Sequence, residues 1–100
     1  MFKGEQTMTY EQMQILNQLV SKFKDKQINI CIEEMSELTK ELCKYMRGNS
    51  NKEHILEEIA DVHITLMQML LLFEIDENEF LSMVDFKIKR TEKRLLNVED

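Results

Sequence analysis

Apolar residues recur at intervals of three and four along most of the chain, and breaks in that rhythm divide it into four helical segments. The first is expected to begin at Thr9, whose hydroxyl can cap a free amide while Gln12 reaches back in a capping box. Tyr10, Met13, Leu16, Leu19, Val20 and Phe23 then make one apolar face, suited to a lid or outer wall, before the pattern stops near Lys24-Asp25-Lys26. The second segment runs from about Gln27 to Arg47. Its longest apolar stripe, Ile28, Cys31, Ile32, Met35, Leu38, Leu42 and Met46, predicts the buried face, with Glu34, Glu37 and Glu41 at its edge. Gly48 supplies the left-handed position that ends a helix.

The third segment is expected to start at Ser50, where Ser50-Asn51-Lys52-Glu53 reads as another capping box, and to reach about Phe73. From Val62 onward it is apolar nearly all round, which predicts burial on most sides, partly against another subunit. One narrow polar line interrupts it: Glu58, Asp61, Thr65 and Gln68. Buried polar groups without partners cost about 1 to 3 kcal/mol each, so such a line calls for a hydrated or metal-lined cleft. Asp76 caps the fourth segment with Glu79 three residues on. Phe80, Leu81, Val84, Ile88 and Leu95 give that helix its apolar face, and its last residues, Asn97 to Asp100, are expected to fray.

Composition supports an all-α fold: among 100 residues there is no proline and glycine occurs only at positions 4 and 48, which disfavours a fold rich in tight turns. No linker, repeat or low-complexity tract divides residues 1–100, so a single domain with a core of about 9–96 is expected. The hydrophobic share of 43% exceeds what a small bundle hides alone. A formal charge of -6 argues against a nucleic-acid polymer as partner. Residues 1–7 hold no signal-like apolar run, and the stretch from Val62 to Phe73 is too short to span a bilayer, so neither membrane nor export is expected and the cytoplasm is the expected location. Cys31 and Cys43 share one helix about 18 Å apart, too far to bridge, and are expected to be reduced core residues.

Two acidic clusters carry the candidate chemistry. Glu34 with Glu37, and Glu58 with Asp61, are spaced three apart, so each pair lies on one helix face, and the break at Arg47-Gly48-Asn49-Ser50 folds the two helices antiparallel. At about 4 Å, two like charges at an effective dielectric of about 20 cost on the order of 4 kcal/mol. A divalent cation turns that cost into binding, and oxygen-only ligands favour Mg2+, Mn2+ or Ca2+ over zinc. Acidic residues on amphipathic helices commonly form only a solvated face; two clusters at matched spacing, one inside an apolar helix, favour the metal. On the fourth helix Lys87, Arg90 and Arg94 lie along one line. Their positions suit compensation of the helix dipole, or a phosphate clamp facing the carboxylates.

The order Glu33-Glu34-x-x-Glu37, then Glu58-x-x-Asp61 about twenty residues later, resembles the signature of the MazG-like all-α nucleoside triphosphate pyrophosphohydrolases. Ile32 and Leu38 around the first motif, Ala60-Asp61-Val62 at the second and the closing Lys87-x-x-Arg90-x-x-x-Arg94 agree, so the resemblance spans roughly Gln27 to Leu96. It implies a four-helix bundle assembled as a homodimer or homotetramer, with Mg2+, or Mn2+ in its place, held by Glu34, Glu37, Glu58 and Asp61. The implied reaction cleaves a nucleoside triphosphate between its α and β phosphorus atoms to a monophosphate and pyrophosphate. Glu33 would act as a base or as an orienting neighbour. Lys87, Arg90 and Arg94 would meet phosphate oxygens, from either subunit. The first helix offers Tyr10, Phe23, Asn17 and Gln18 without the arrangement of pyrimidine-selective members, which leaves the base open.

Other readings are weighed against this one. A non-catalytic helical interaction module would use the apolar excess for a partner protein. A di-iron carboxylate bundle needs Glu-x-x-His, which is missing, and a phosphoribosyl-ATP pyrophosphohydrolase would share the carboxylate signature. His63 reads as a core or interface residue, His54 as a surface residue, and the eight methionines as adaptable core filler.

Overall fold

A computed structural model describes residues 8–97; the stretch 1–7 and the expected fraying of 98–100 lie outside them. The four expected helices are present: α1 (Tyr10–Phe23), α2 (Lys26–Met46), α3 (Lys52–Leu72) and α4 (Glu77–Asn97). No strand occurs among the described residues, so the chain is all-α. None of these helices is long and apolar enough to cross a membrane.

Local chemistry sets most of the boundaries. Thr9 accepts from the Gln12 amide at 3.1 Å and its own amide donates to Gln12 Oε1 at 2.8 Å, the expected capping box. At the end of α2, Gly48 takes φ +80°, and the amides of Gly48 and Asn49 return to the carbonyls of Tyr45 and Lys44 at 2.9 and 2.8 Å. This is a Schellman closure, which uses glycine because a side chain is strained at that φ. The same closure ends α3, where Ile75 N donates to Leu70 O at 2.8 Å, but there the left-handed residue is Glu74 at φ +55°.

The start of α3 departs from expectation. Asn51, not Ser50, is the cap: its side chain accepts from the His54 amide at 2.9 Å, and the helix begins at Lys52. The Ser50 hydroxyl is engaged elsewhere, donating to Glu41 of α2.

α2 and α3 pack antiparallel, with α1 laid against α3 and α2. Their shared interior is partly polar. Leu16, Val20, Cys31 and Val62 are buried together with Gln27, Glu41, Thr65 and Gln68. The buried face of α2 is therefore not the predicted stripe. Gln27, Glu34 and Glu41, seven residues apart, turn inward with Cys31 and Leu38, while Ile32, Met35, Leu42 and Met46 are exposed. The rotation sets polar against polar: α3 presents Glu58, Thr65 and Gln68 inward, and an apolar stripe set against them would bar water or a ligand from those groups. Polar line faces polar line, and the apolar stripes look outward, including Leu56, Ile59 and Leu66 of α3 and Phe73 just past its end.

α4 has no buried residue; Leu81, Phe86, Ile88 and Leu95 are each more than half exposed. It does not pack along the other three helices. The radius of gyration, 16.3 Å, exceeds the roughly 13 Å of a compact chain of this length. Cys31 is buried as expected, Cys43 is exposed, and both are free thiols.

Candidate metal centre and adjoining cleft

The antiparallel packing of α2 on α3 brings the two acidic motifs face to face. One carboxylate oxygen from each of Glu34, Glu58 and Asp61 lies within 4.8 Å of the others. Helical spacing explains the pair on α3, and the inward rotation of α2 supplies the third. Glu58 Oε1 is buried without a hydrogen-bond partner among the described residues.

The electrostatics agree with crowding. Burial and then the charges of Asp61, Glu58, Glu37 and Glu33 hold the Glu34 carboxyl above its ordinary value. Burial raises Glu58 likewise, followed by Asp61, Glu37, Glu41 and Glu57. A set of three converging oxygens, one of them orphaned, in a region where charge is already costly, fits a hard divalent cation. Glu37 stands outside the converging three, on the exposed side of α2, yet near enough to push on both Glu34 and Glu58. Glu33 is exposed one residue before Glu34.

The basic residues do not reach this centre within one chain. Lys87, Arg90 and Arg94 are exposed on α4, with Arg90 over the Phe86 ring at 5.8 Å, and among the described residues no ion pair joins them to the carboxylates. His63 is exposed and takes no part in the cluster, and His54 is on the surface as expected.

Beside the cluster opens a cleft of about 640 Å³, within the usual size range of small-molecule sites. Glu34 and Asp61 line it together with the apolar side chains of Leu19, Phe23, Ile30 and Ile64. Gln27, Asn29, Thr65 and Gln68 give it polar points. Gln27 and Gln68 are each only 3% exposed, and Gln68 Oε1 is buried without a partner. Thr65 donates to its own turn, to Val62 O at 2.9 Å.

A second charged group closes the turn between the motifs. Glu41 accepts from the Ser50 hydroxyl, and Lys44 Nζ and His54 Nδ1 stand 3.8 and 3.7 Å from its oxygens. The Ser50 hydrogen bond, more than these two neighbours, holds its carboxyl below the ordinary value against the opposing effect of burial.

Sequence reasoning missed Gln27 and the Ser50–Glu41 pairing. The seven-residue repeat Gln27, Glu34, Glu41 was the available signal, since it places all three on one helical line. No family model matches this chain, and no curated protein or solved structure is similar to it.

Proposed function

We propose that the chain is a Mg2+-dependent nucleoside triphosphate pyrophosphohydrolase of the MazG-like kind, releasing a monophosphate and pyrophosphate. The observation that carries this reading is the convergence of Glu34, Glu58 and Asp61 within 4.8 Å, with an unpartnered Glu58 oxygen, at the mouth of a cleft large enough for a nucleotide.

Glu34, Glu58 and Asp61 would hold the cation, Mn2+ serving in place of Mg2+, and Glu37 would join them by a change of rotamer. When bound, such a cation neutralises phosphate oxygens and lowers the pKa of a coordinated water. The chain's own part is to position: carboxylates from two helices would fix the ligand set, and apolar side chains line the adjoining cleft. Glu33, from its exposed place beside Glu34, is assigned the role of base or of a neighbour orienting the attacking water.

The cationic line of α4 belongs to the same reading only in an assembly. The outward stripes of α2 and α3 and the unburied apolar face of α4 support a homodimer or homotetramer, in which Lys87, Arg90 and Arg94 of one copy meet the phosphates held by another.

The same exposed stripes favour one competitor, a non-catalytic helical module that docks on another protein. Incubation with ribo- and deoxyribonucleoside triphosphates, with Mg2+ or with chelator, separates the two. Monophosphate plus pyrophosphate, formed only with Mg2+ and lost in Glu37→Gln and Asp61→Asn, is the expected result. No product from any nucleotide, with a melting temperature indifferent to Mg2+, would leave the docking module.

A further inference from the structure

We infer that the cleft beside the acidic cluster seats the nucleobase of the substrate and that Gln68 reads its edge. The inference rests on the pyrophosphohydrolase reading for the rest of the ligand. Asp61, Thr65 and Gln68 follow one another along one face of α3, and seven residues of helix place Gln68 about 10 Å from Asp61. That separation is comparable with the length of a nucleoside, so a phosphate held at Asp61 sends its base toward Gln68.

Three features of the cleft suit a base. Phe23 contributes an aromatic ring, over which Lys22 Nζ stands at 5.4 Å, and Ile30 and Ile64 contribute apolar wall. Gln68 is almost wholly buried, lines the cleft, and keeps an amide oxygen with no partner among the described residues. That oxygen has no partner and almost no accessible surface, so it takes a ligand N–H, such as the exocyclic amine or ring imide of a base, when the amide turns into the cleft that Gln68 lines. A carboxamide also donates to a neighbouring acceptor, and a base edge presents donor and acceptor side by side in one plane; the ribose diol is the competing partner, and the abasic analogue in the test retains it. Gln68 is thus a specificity residue, distinct from the metal-holding carboxylates.

The test uses the 100-residue chain with diamagnetic Mg2+ and nucleotides whose α–β bridge is methylene, so that binding is read without cleavage. Base-bearing nucleotides are compared with the abasic ribose triphosphate analogue by calorimetry, and the Gln68 side-chain amide is followed by NMR. The expected result is a preferred base bound about tenfold or more tighter than the abasic analogue, with the Gln68 amide shifting only when a base is present. In Gln68→Met, which keeps volume and removes the amide, the preference collapses while Mg2+ affinity is unchanged. Equal affinity of wild type for base-bearing and abasic ligands overturns the assignment, as does a base ranking preserved in Gln68→Met. Should that variant fold poorly, the wild-type comparison and the amide resonance still decide. The two readings fail separately: base-selective binding without cleavage of ordinary nucleotides removes the hydrolase, whereas cleavage indifferent to the base removes the base pocket.

Discussion

The Ser50 hydroxyl donates across the α2–α3 turn to the carboxylate of Glu41, a buried acceptor one helical line from Glu34. The bond ties the two motif-bearing helices at the point where the chain reverses. Ser50→Ala is expected to lower stability at neutral pH, measured by denaturant unfolding. Because the folded-state pKa of Glu41 lies below the ordinary 4.5, its contribution is complete above 4.5 and is lost as pH falls through the lower folded value. The difference between wild type and Ser50→Ala should vanish below that value. A difference that persists unchanged there would separate the effect from the Glu41 charge.

Glu34 and Glu58 work in the opposite direction. Their folded-state values stand above 4.5, so the folded protein takes up protons more readily than the unfolded chain between 4.5 and those raised values. In this window, without metal, these two groups make stability rise as pH falls. Saturating Mg2+ should reverse that trend, since protons and cation compete for the same oxygens. Unfolding curves between neutral pH and 4.5, with Mg2+ and with chelator, check the sign.

Removal of one converging charge should uncouple activity from stability. Asp61→Asn is expected to cut Mg2+-dependent monophosphate release by about 100-fold or more. Without metal it should melt no lower than wild type, because a like charge near Glu34 and Glu58 is gone. Loss of both activity and fold would mean instead that Asp61 holds the helices together.

Glu74 closes α3 in a conformation that suits glycine, at φ +55°. Glu74→Gly should raise stability by about 1 kcal/mol, net of the added freedom of the unfolded chain, with activity unchanged. Chemical denaturation measures this directly.

If a second copy covers the outward stripes, the melting temperature should climb with protein concentration. Ile88→Asp, on the exposed face of α4, should shift sedimentation toward the single chain and weaken nucleotide turnover by removing the cationic line from its neighbour.

Helix number, class and the capping of α1 were legible because they follow from neighbours in sequence: Thr9 and Gln12 satisfy one another without help. The acidic convergence was legible for three of its residues, since i,i+3 spacing on α3 and a short turn leave little freedom for Glu34. What sequence could not settle was rotation. The longest apolar stripe of α2 was the natural candidate for the interior, but the line that faces α3 is set by the partner's polar residues, a tertiary effect. Ser50 illustrates the same limit. Its hydroxyl had two destinations, the local cap and Glu41, and Asn51 took the cap. For α4, the apolar pattern predicts the helix, which is present, but a pattern does not say what covers its apolar face, and no residue of α4 is buried.

The α2–α3 hairpin also has a kinetic consequence. Its helices are neighbours in sequence joined by a tight reversal, so they can pair early in folding, before distant segments must be gathered. Glu34 stands on one arm of that hairpin and Glu58 and Asp61 on the other, so early pairing of the arms would place their mutual repulsion in the folding barrier. A divalent cation would then act chiefly on the refolding limb of a chevron plot and leave the unfolding limb little changed. For this chain, metal would be an ingredient of getting folded, not only of working once folded.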